Sequence, residues 1–180
     1  MTDDRDLAGL AASPAARPPV AAGMGHAPLA IGPVRAGELF ALARLQQRAF
    51  RPRLAYGLGT VVALWLLPHV RFLVARLDGR VVGCAIGDRD NGNSRVINLA
   101  VDPDARRQGV GRALLRALEA ALPKGDVLLM VEEENAGARA LYEAEGYHRV
   151  GFARDYYGRG HHGIWMQKRR TAKAAPAVRV

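Results

Sequence analysis

The stretch Val101-Asp-Pro-Asp-Ala-Arg106-Arg107-Gln108-Gly109-Val110-Gly111-Arg112-Ala-Leu-Leu115 joins an apolar strand to an amphipathic helix through a basic turn that carries two glycines. Before it, Val96, Ile97, Leu99, Ala100 and Val101 read as a buried strand that Asp102-Pro103 ends, and after it Leu114, Leu115 and Leu118 recur at helical spacing. Glycines between a strand and a helix let a ligand approach main-chain N–H groups that have no acceptor in the first helical turn. The helix dipole adds partial positive charge at the same place. A pyrophosphate suits such a turn. Gly109-x-Gly111 alone is also met in tight helix–strand packing, but a dinucleotide fingerprint would need a third glycine where Leu114 stands, and the Gly-Lys-Ser/Thr of a nucleotide triphosphate loop is missing.

A chain of 180 residues that is 49% hydrophobic supports one domain with a real core. The single cysteine, Cys84, falls in an apolar strand pattern, which excludes a disulfide framework and a cysteine zinc site and makes cytoplasmic residence the default expectation. The most apolar run, Leu58 to Leu67, stops at Pro68, far short of a membrane span. A net charge of +9 invites a nucleic-acid reading. Its distribution points elsewhere: Lys168, Arg169, Arg170, Lys173 and Arg179 form a basic tail, and Arg106, Arg107 and Arg112 sit in the proposed phosphate turn. No metal and no membrane partner are expected, and the assembly is expected to be a monomer or homodimer.

Residues 1–28 hold Pro14, Pro18, Pro19 and Pro28 among alanines and glycines without apolar periodicity, and read as a disordered extension that lacks the features of a signal peptide. The folded domain is expected over 29–170 and a basic flexible tail over 171–180. Ile31 to Arg35 predicts a short strand, followed by a helix from Leu39 to Phe50 and a second from Leu58 to Leu67. Val70 to Leu77 and Arg80 to Gly87 flank Asp78-Gly79, a hairpin turn, and Asn91-Gly92 leads into the Val96 to Val101 strand. A helix over Gly109 to Leu122, a strand over Val127 to Val131 and a helix over Ala136 to Glu145 with Gly146 past its end follow. Tyr147 to Arg154 and Gly163 to Gln167 complete the chain as an antiparallel pair.

Arg106-Arg107-Gln108-Gly109-Val110-Gly111 resembles the Q/R-x-x-G-x-G/A signature of the GNAT N-acetyltransferase superfamily, and Asn135-Ala-Gly-Ala-Arg-Ala-Leu-Tyr142-Glu-Ala-Glu-Gly146-Tyr147 resembles the second signature of the same family. The two stand in the family's order. The resemblance implies an α/β (α+β) fold, a mixed, mostly antiparallel seven-stranded sheet splayed between the fourth and fifth strands and flanked by about four helices. It also implies acetyl-CoA in the gap. Main-chain groups of Leu99, Ala100 and Val101 would hold the pantetheine arm, which the Asn135 side chain would also hydrogen-bond, those of Arg106, Arg107, Gln108, Gly109, Val110, Gly111 and Arg112 would hold the pyrophosphate, and the Tyr142 hydroxyl would stand at the coenzyme A sulfur. Arg154-Asp-Tyr156-Tyr157-Gly158 before Gly163-Ile-Trp-Met166 is similar to the ending of the protein N-terminal acetyltransferases, above all the ribosomal-protein alanine type. Phe50 and Tyr56 fall where that type has its other substrate loop, so Phe50, Tyr56, Tyr156 and Tyr157 would wall a slot for an α-amine. Small-molecule amines, or acetyl-CoA binding without turnover, are the alternatives.

Transfer to an amine needs a neutral nucleophile and a proton for the departing thiolate. By the same resemblance Tyr142 is the general acid. The base is where the chain departs, because Met130 stands at the family's glutamate position and a thioether accepts no proton. Strand side chains repeat every two residues on one face, so Glu132 shares the face of Met130 and is the candidate carboxylate. Glu132 can equally be a solvated member of the Glu132-Glu133-Glu134 run, with the proton leaving to water or bulk solvent.

Overall fold

The computed structural model describes residues 28–90 and 92–170; all of the proposed N-terminal extension but Pro28, and the basic tail over 171–180, lie outside the described residues. Its elements in chain order are β1 (Ala30–Pro33), α1 (Leu39–Ala49), α2 (Leu58–Leu66), β2 (Arg71–Leu77), β3 (Arg80–Asp90), β4 (Asn93–Val101), α3 (Val110–Ala121), β5 (Val127–Glu132), α4 (Ala136–Ala144), β6 (His148–Ala153) and β7 (Gly163–Lys168). The strands form one seven-stranded sheet in the order β1-β2-β3-β4-β5-β7-β6, antiparallel everywhere except between β4 and β5. Asp78 and Gly79 both adopt left-handed backbone, the pairing that matches hairpin twist, and they close β2 onto β3.

Alternation along β2 divides the core into two layers. Phe72 and Val74 enter a cluster with Leu42 and Leu45 of α1 and Val61 of α2, while Ala75 and Leu73 pack on the other face with Leu114, Leu115 and Leu118 of α3. The helices therefore cover both faces of the sheet.

The feature that makes a site is in β4. Ile86 pairs with Asn98 but Gly87 pairs with Val96, so Ile97 is an extra residue in β4. The bulge switches faces: Val96 belongs to the α3-side cluster and Ala100 to the α1-side cluster, although strict alternation would put residues four apart on one face. Beneath it lies a buried amide pair that spans 52 residues of sequence. Gln46 Nε2 donates to Asn98 Oδ1 at 2.9 Å and Asn98 Nδ2 returns a bond to Gln46 Oε1 at 3.2 Å, fixing α1 to the bulged strand with both side chains partnered. The parallel pairing of β4 with β5 covers Ser94, Arg95 and Val96 against Val127, Leu128 and Leu129, and then ends. β5 stays paired with β7 as far as Glu132, so β4 and β5 part beyond Val96.

Candidate active site

A cleft of about 750 Å³ lies where α3 begins, lined by Leu99, Ala100 and Val101 of β4, by Arg106, Arg107, Gly109, Val110, Gly111 and Arg112, and by Asn135, Ala138 and Tyr142. Across the turn, the N–H groups from Arg107 to Arg112 have no backbone acceptor among the described residues; the first bond of the helix is from Ala113 to the Gly109 carbonyl. A row of open donors at a helix N-terminus is what a pyrophosphate requires. The two glycines serve it differently. Gly109 has φ +80° and a side chain there would project into open space, whereas a side chain at Gly111 would meet Leu141 at 3.3 Å and Val101 at 3.5 Å, closing the cleft between α3 and α4. Arg107 is also left-handed at φ 62°, so the turn is built from closely spaced unusual backbone conformations.

The basic side chains are only partly available to a ligand. Arg106 donates to the Val101 and Ala49 carbonyls at 3.4 and 3.2 Å, which ties the end of β4 to the end of α1. Arg112 and Arg116 both pair with the buried Glu145 carboxylate, at 3.0 and 2.7 Å, and the Arg116 guanidinium holds that carboxyl below its ordinary range. Gln108 stays out of the cleft lining; its amide donates to the Asp104 carbonyl at 3.0 Å. We expect Gly109→Val and Gly111→Val each to weaken acetyl-CoA binding by at least about tenfold, the first through backbone strain and the second by filling the cleft. Calorimetry on folded variants checks this, and unchanged affinity removes the cofactor role from the turn.

Tyr142 is buried on α4, packed edge-on against Tyr147 at a ring distance of 5.7 Å. Tyr147 is itself pinned, because its hydroxyl donates to Glu119 at 2.7 Å and Lys168 donates to the same carboxylate at 2.7 Å. The Tyr142 hydroxyl makes no hydrogen bond among the described residues, and burial pushes it up to about 12, so it is a protonated donor without an acceptor. Asn135 is half committed: its Oδ1 accepts from Ala138 N–H at 3.1 Å as the N-cap of α4, leaving the amide nitrogen for a ligand.

A second cavity of about 580 Å³ adjoins the first, sharing Phe50, Leu99, Asn135, Ala138 and Tyr142 with it. Its other walls bring together the remaining residues singled out from sequence: Tyr56 from the α1–α2 loop, Tyr156 and Tyr157 from the β6–β7 loop, and Met130 and Glu132 from β5. Leu128, Met130 and Glu132 are the half-buried members of an alternating strand, so Met130 and Glu132 share a face. Tyr157 is held by a 3.0 Å bond to the Met130 carbonyl, and burial raises its hydroxyl above the ordinary range.

Sequence reading did not reveal what holds Glu132. Arg51 of the α1–α2 loop donates to its carboxylate, and His161 of the β6–β7 loop places Nδ1 at 2.9 Å from the same oxygen. Arg51 also lies 3.1 Å from His161 Nε2, so the two loops are locked together over the end of β5. Glu132, Glu134 and His161 bring ligand-type atoms within 4.8 Å of one another, but the Arg51 guanidinium already supplies the cation there. Burial and a bond from Gln46 accompany Cys84 under β4, where its thiol is pushed up to about 12 and is unreactive.

A family profile for the acetyltransferase (GNAT) domain matches residues 68–149. The chain is 32% identical over 145 residues to an uncharacterized N-acetyltransferase of Methanocaldococcus jannaschii, covering 78% of this chain and 92% of that one. It is 41% identical over 83 residues to the ribosomal protein bS18-alanine N-acetyltransferase of Escherichia coli, an alignment that spans 44% of this chain and 56% of that enzyme. The crystal structure of the ribosomal-protein-S18-alanine N-acetyltransferase from Escherichia coli superimposes with a TM-score of 0.70 and 27% identity, over 82% of this chain and 98% of that one.

Proposed function

The chain belongs to the GNAT acetyltransferase family, and from that premise we propose that it carries an acetyl group from acetyl-CoA to the α-amine of a protein N-terminus. The observation that carries the reading is the meeting of two cavities through the β4–β5 gap at Leu99, Asn135 and Tyr142, one suited to a pyrophosphate and the other walled by the loops that bear Tyr56, Tyr156 and Tyr157. Similarity to the bS18-alanine N-acetyltransferase supports the choice of an N-terminal amine.

Acetyl-CoA supplies the thioester. The open N–H groups from Arg107 to Arg112 bind its pyrophosphate, and the unpaired edge of β4 at Leu99, Ala100 and Val101 offers main-chain donors and acceptors to its extended arm, as an added strand would use them. The Tyr142 hydroxyl keeps its proton at neutral pH and delivers it to the departing sulfur. Glu132 is the carboxylate in the acceptor cavity and takes the amine proton, directly or through water. Binding without turnover is the second reading, favoured by the thioether of Met130 beside the reacting end.

Incubating the full chain with acetyl-CoA and a panel of peptides, polyamines, amino acids and aminoglycosides, followed by mass analysis, tests both. Acetylation of peptides at the α-amine is the expected result. Transfer confined to small amines moves the acceptor class, and acetyl-CoA binding with no product on any amine leaves the binding-module reading.

A further inference from the structure

The acceptor cavity holds more cationic and donor capacity than its neighbours use. Its lining carries one carboxylate, Glu132, which Arg51 and His161 already occupy. Two arginines line it as well. Arg95 pairs with Asp88 at 2.8 Å and Asp90 at 3.4 Å, while Arg53 is exposed and has no carboxylate partner among the described residues. The hydroxyls of Tyr56, half-buried, and Tyr156, exposed, make no hydrogen bond among the described residues. Arg53, Tyr56, Arg95 and Tyr156 line the acceptor cavity and are absent from the cofactor cleft, so whatever they recognise belongs to the acceptor.

Of the neighbouring arginines, Arg48 and Arg76 are paired with Asp102 and Asp104 and with Glu38, while the β6–β7 loop adds Arg154 and Arg159 against Asp155. Of the acidic groups nearby, Glu132 is held as above, Glu134 lies 3.5 Å from His161, and Asp155 lies 3.4 Å from His162.

We propose that the preferred acceptor is an amine with a carboxylate close by: in a protein, an N-terminus with Asp or Glu among its first few residues, recognised by Arg53 and the Tyr56 and Tyr156 hydroxyls. This rests on the N-terminal reading above and deepens it. A carboxylate placed there accepts from two phenol hydroxyls and meets a guanidinium, none of which has a protein partner among the described residues.

The test uses the full chain and peptides that share residue 1 and differ at positions 2 and 3, carrying two Asp, two Ser or two Lys. The acidic peptide is expected to exceed the basic one in kcat/KM by about tenfold or more, chiefly through KM, with the ratio falling as salt is raised. Arg53→Glu lies in an exposed loop and should erase or reverse the preference; Tyr56→Phe keeps the ring and should reduce it. Equal rates, a basic preference, or an Arg53→Glu variant with the original ratio overturns the proposal. If no peptide is acetylated, the N-terminal reading falls by itself, and aspartate and glutamate against spermidine decide the anionic preference. Acetylation of spermidine ahead of the acidic amino acids, or of none of the three, overturns it.

Discussion

Tyr142→Phe is expected to lower turnover about 10²-fold while acetyl-CoA affinity stays nearly unchanged. The substitution keeps the ring, and with it the edge-on packing on Tyr147 and the place of α4 in the core, and it removes a hydroxyl that has no partner among the described residues. A purely structural tyrosine would therefore tolerate the change, because no buried bond is broken. Burial also fixes the sign of the pH dependence. With the hydroxyl pushed up to about 12, the donor remains protonated across the assay range and contributes no basic limb below about pH 10. Wild-type turnover in single-turnover and steady-state assays would leave Tyr142 a packing residue and require another proton source for the thiolate.

Local patterns in the sequence were enough for the order of elements, because each strand and helix is bounded by its own signal: Asp78-Gly79 for the first hairpin, Asp102-Pro103 for the end of β4, Gly146 for the end of α4. The seven-stranded sheet parted between β4 and β5 matches the expectation drawn from the two motifs. What escaped reading is long-range. Gln46 sits on the apolar stripe of α1 and gave no sign of Asn98, 52 residues away; Arg51 and Glu132 are 81 apart, and Arg51 and His161 are 110 apart. The bulge at Ile97 has only weak local markers, Asn98 beside it and Gly87 across from it, neither of which fixes its position. One miss was avoidable: an asparagine directly before a helix signals an N-cap, and Asn135 uses its oxygen as one.

Glu132→Gln decides how the amine loses its proton. If Glu132 is the base, the variant is expected to lose about 10²-fold in kcat/KM while the limb set by the amine itself remains. Glutamine retains an oxygen to accept from Arg51 and His161, so the link between the two loops survives and a loss of rate does not arise from a collapsed cavity. Met130 gives the complementary arm. It lies on the same face of β5 and lines the same cavity, and its sulfur occupies the space over Gly163 where a side chain from β7 would otherwise stand, 2.5 Å away. Adding Met130→Glu to the Glu132→Gln variant returns a carboxylate to the same cavity and is expected to restore part of the rate. If bulk solvent takes the proton instead, Glu132→Gln leaves the rate as it was, and activity simply climbs toward the α-amino pKa near 7.7–8.0 in both proteins. A flat response to Glu132→Gln, with Met130→Glu adding nothing, confines Glu132 to fastening the Arg51 and His161 loops over the acceptor cavity.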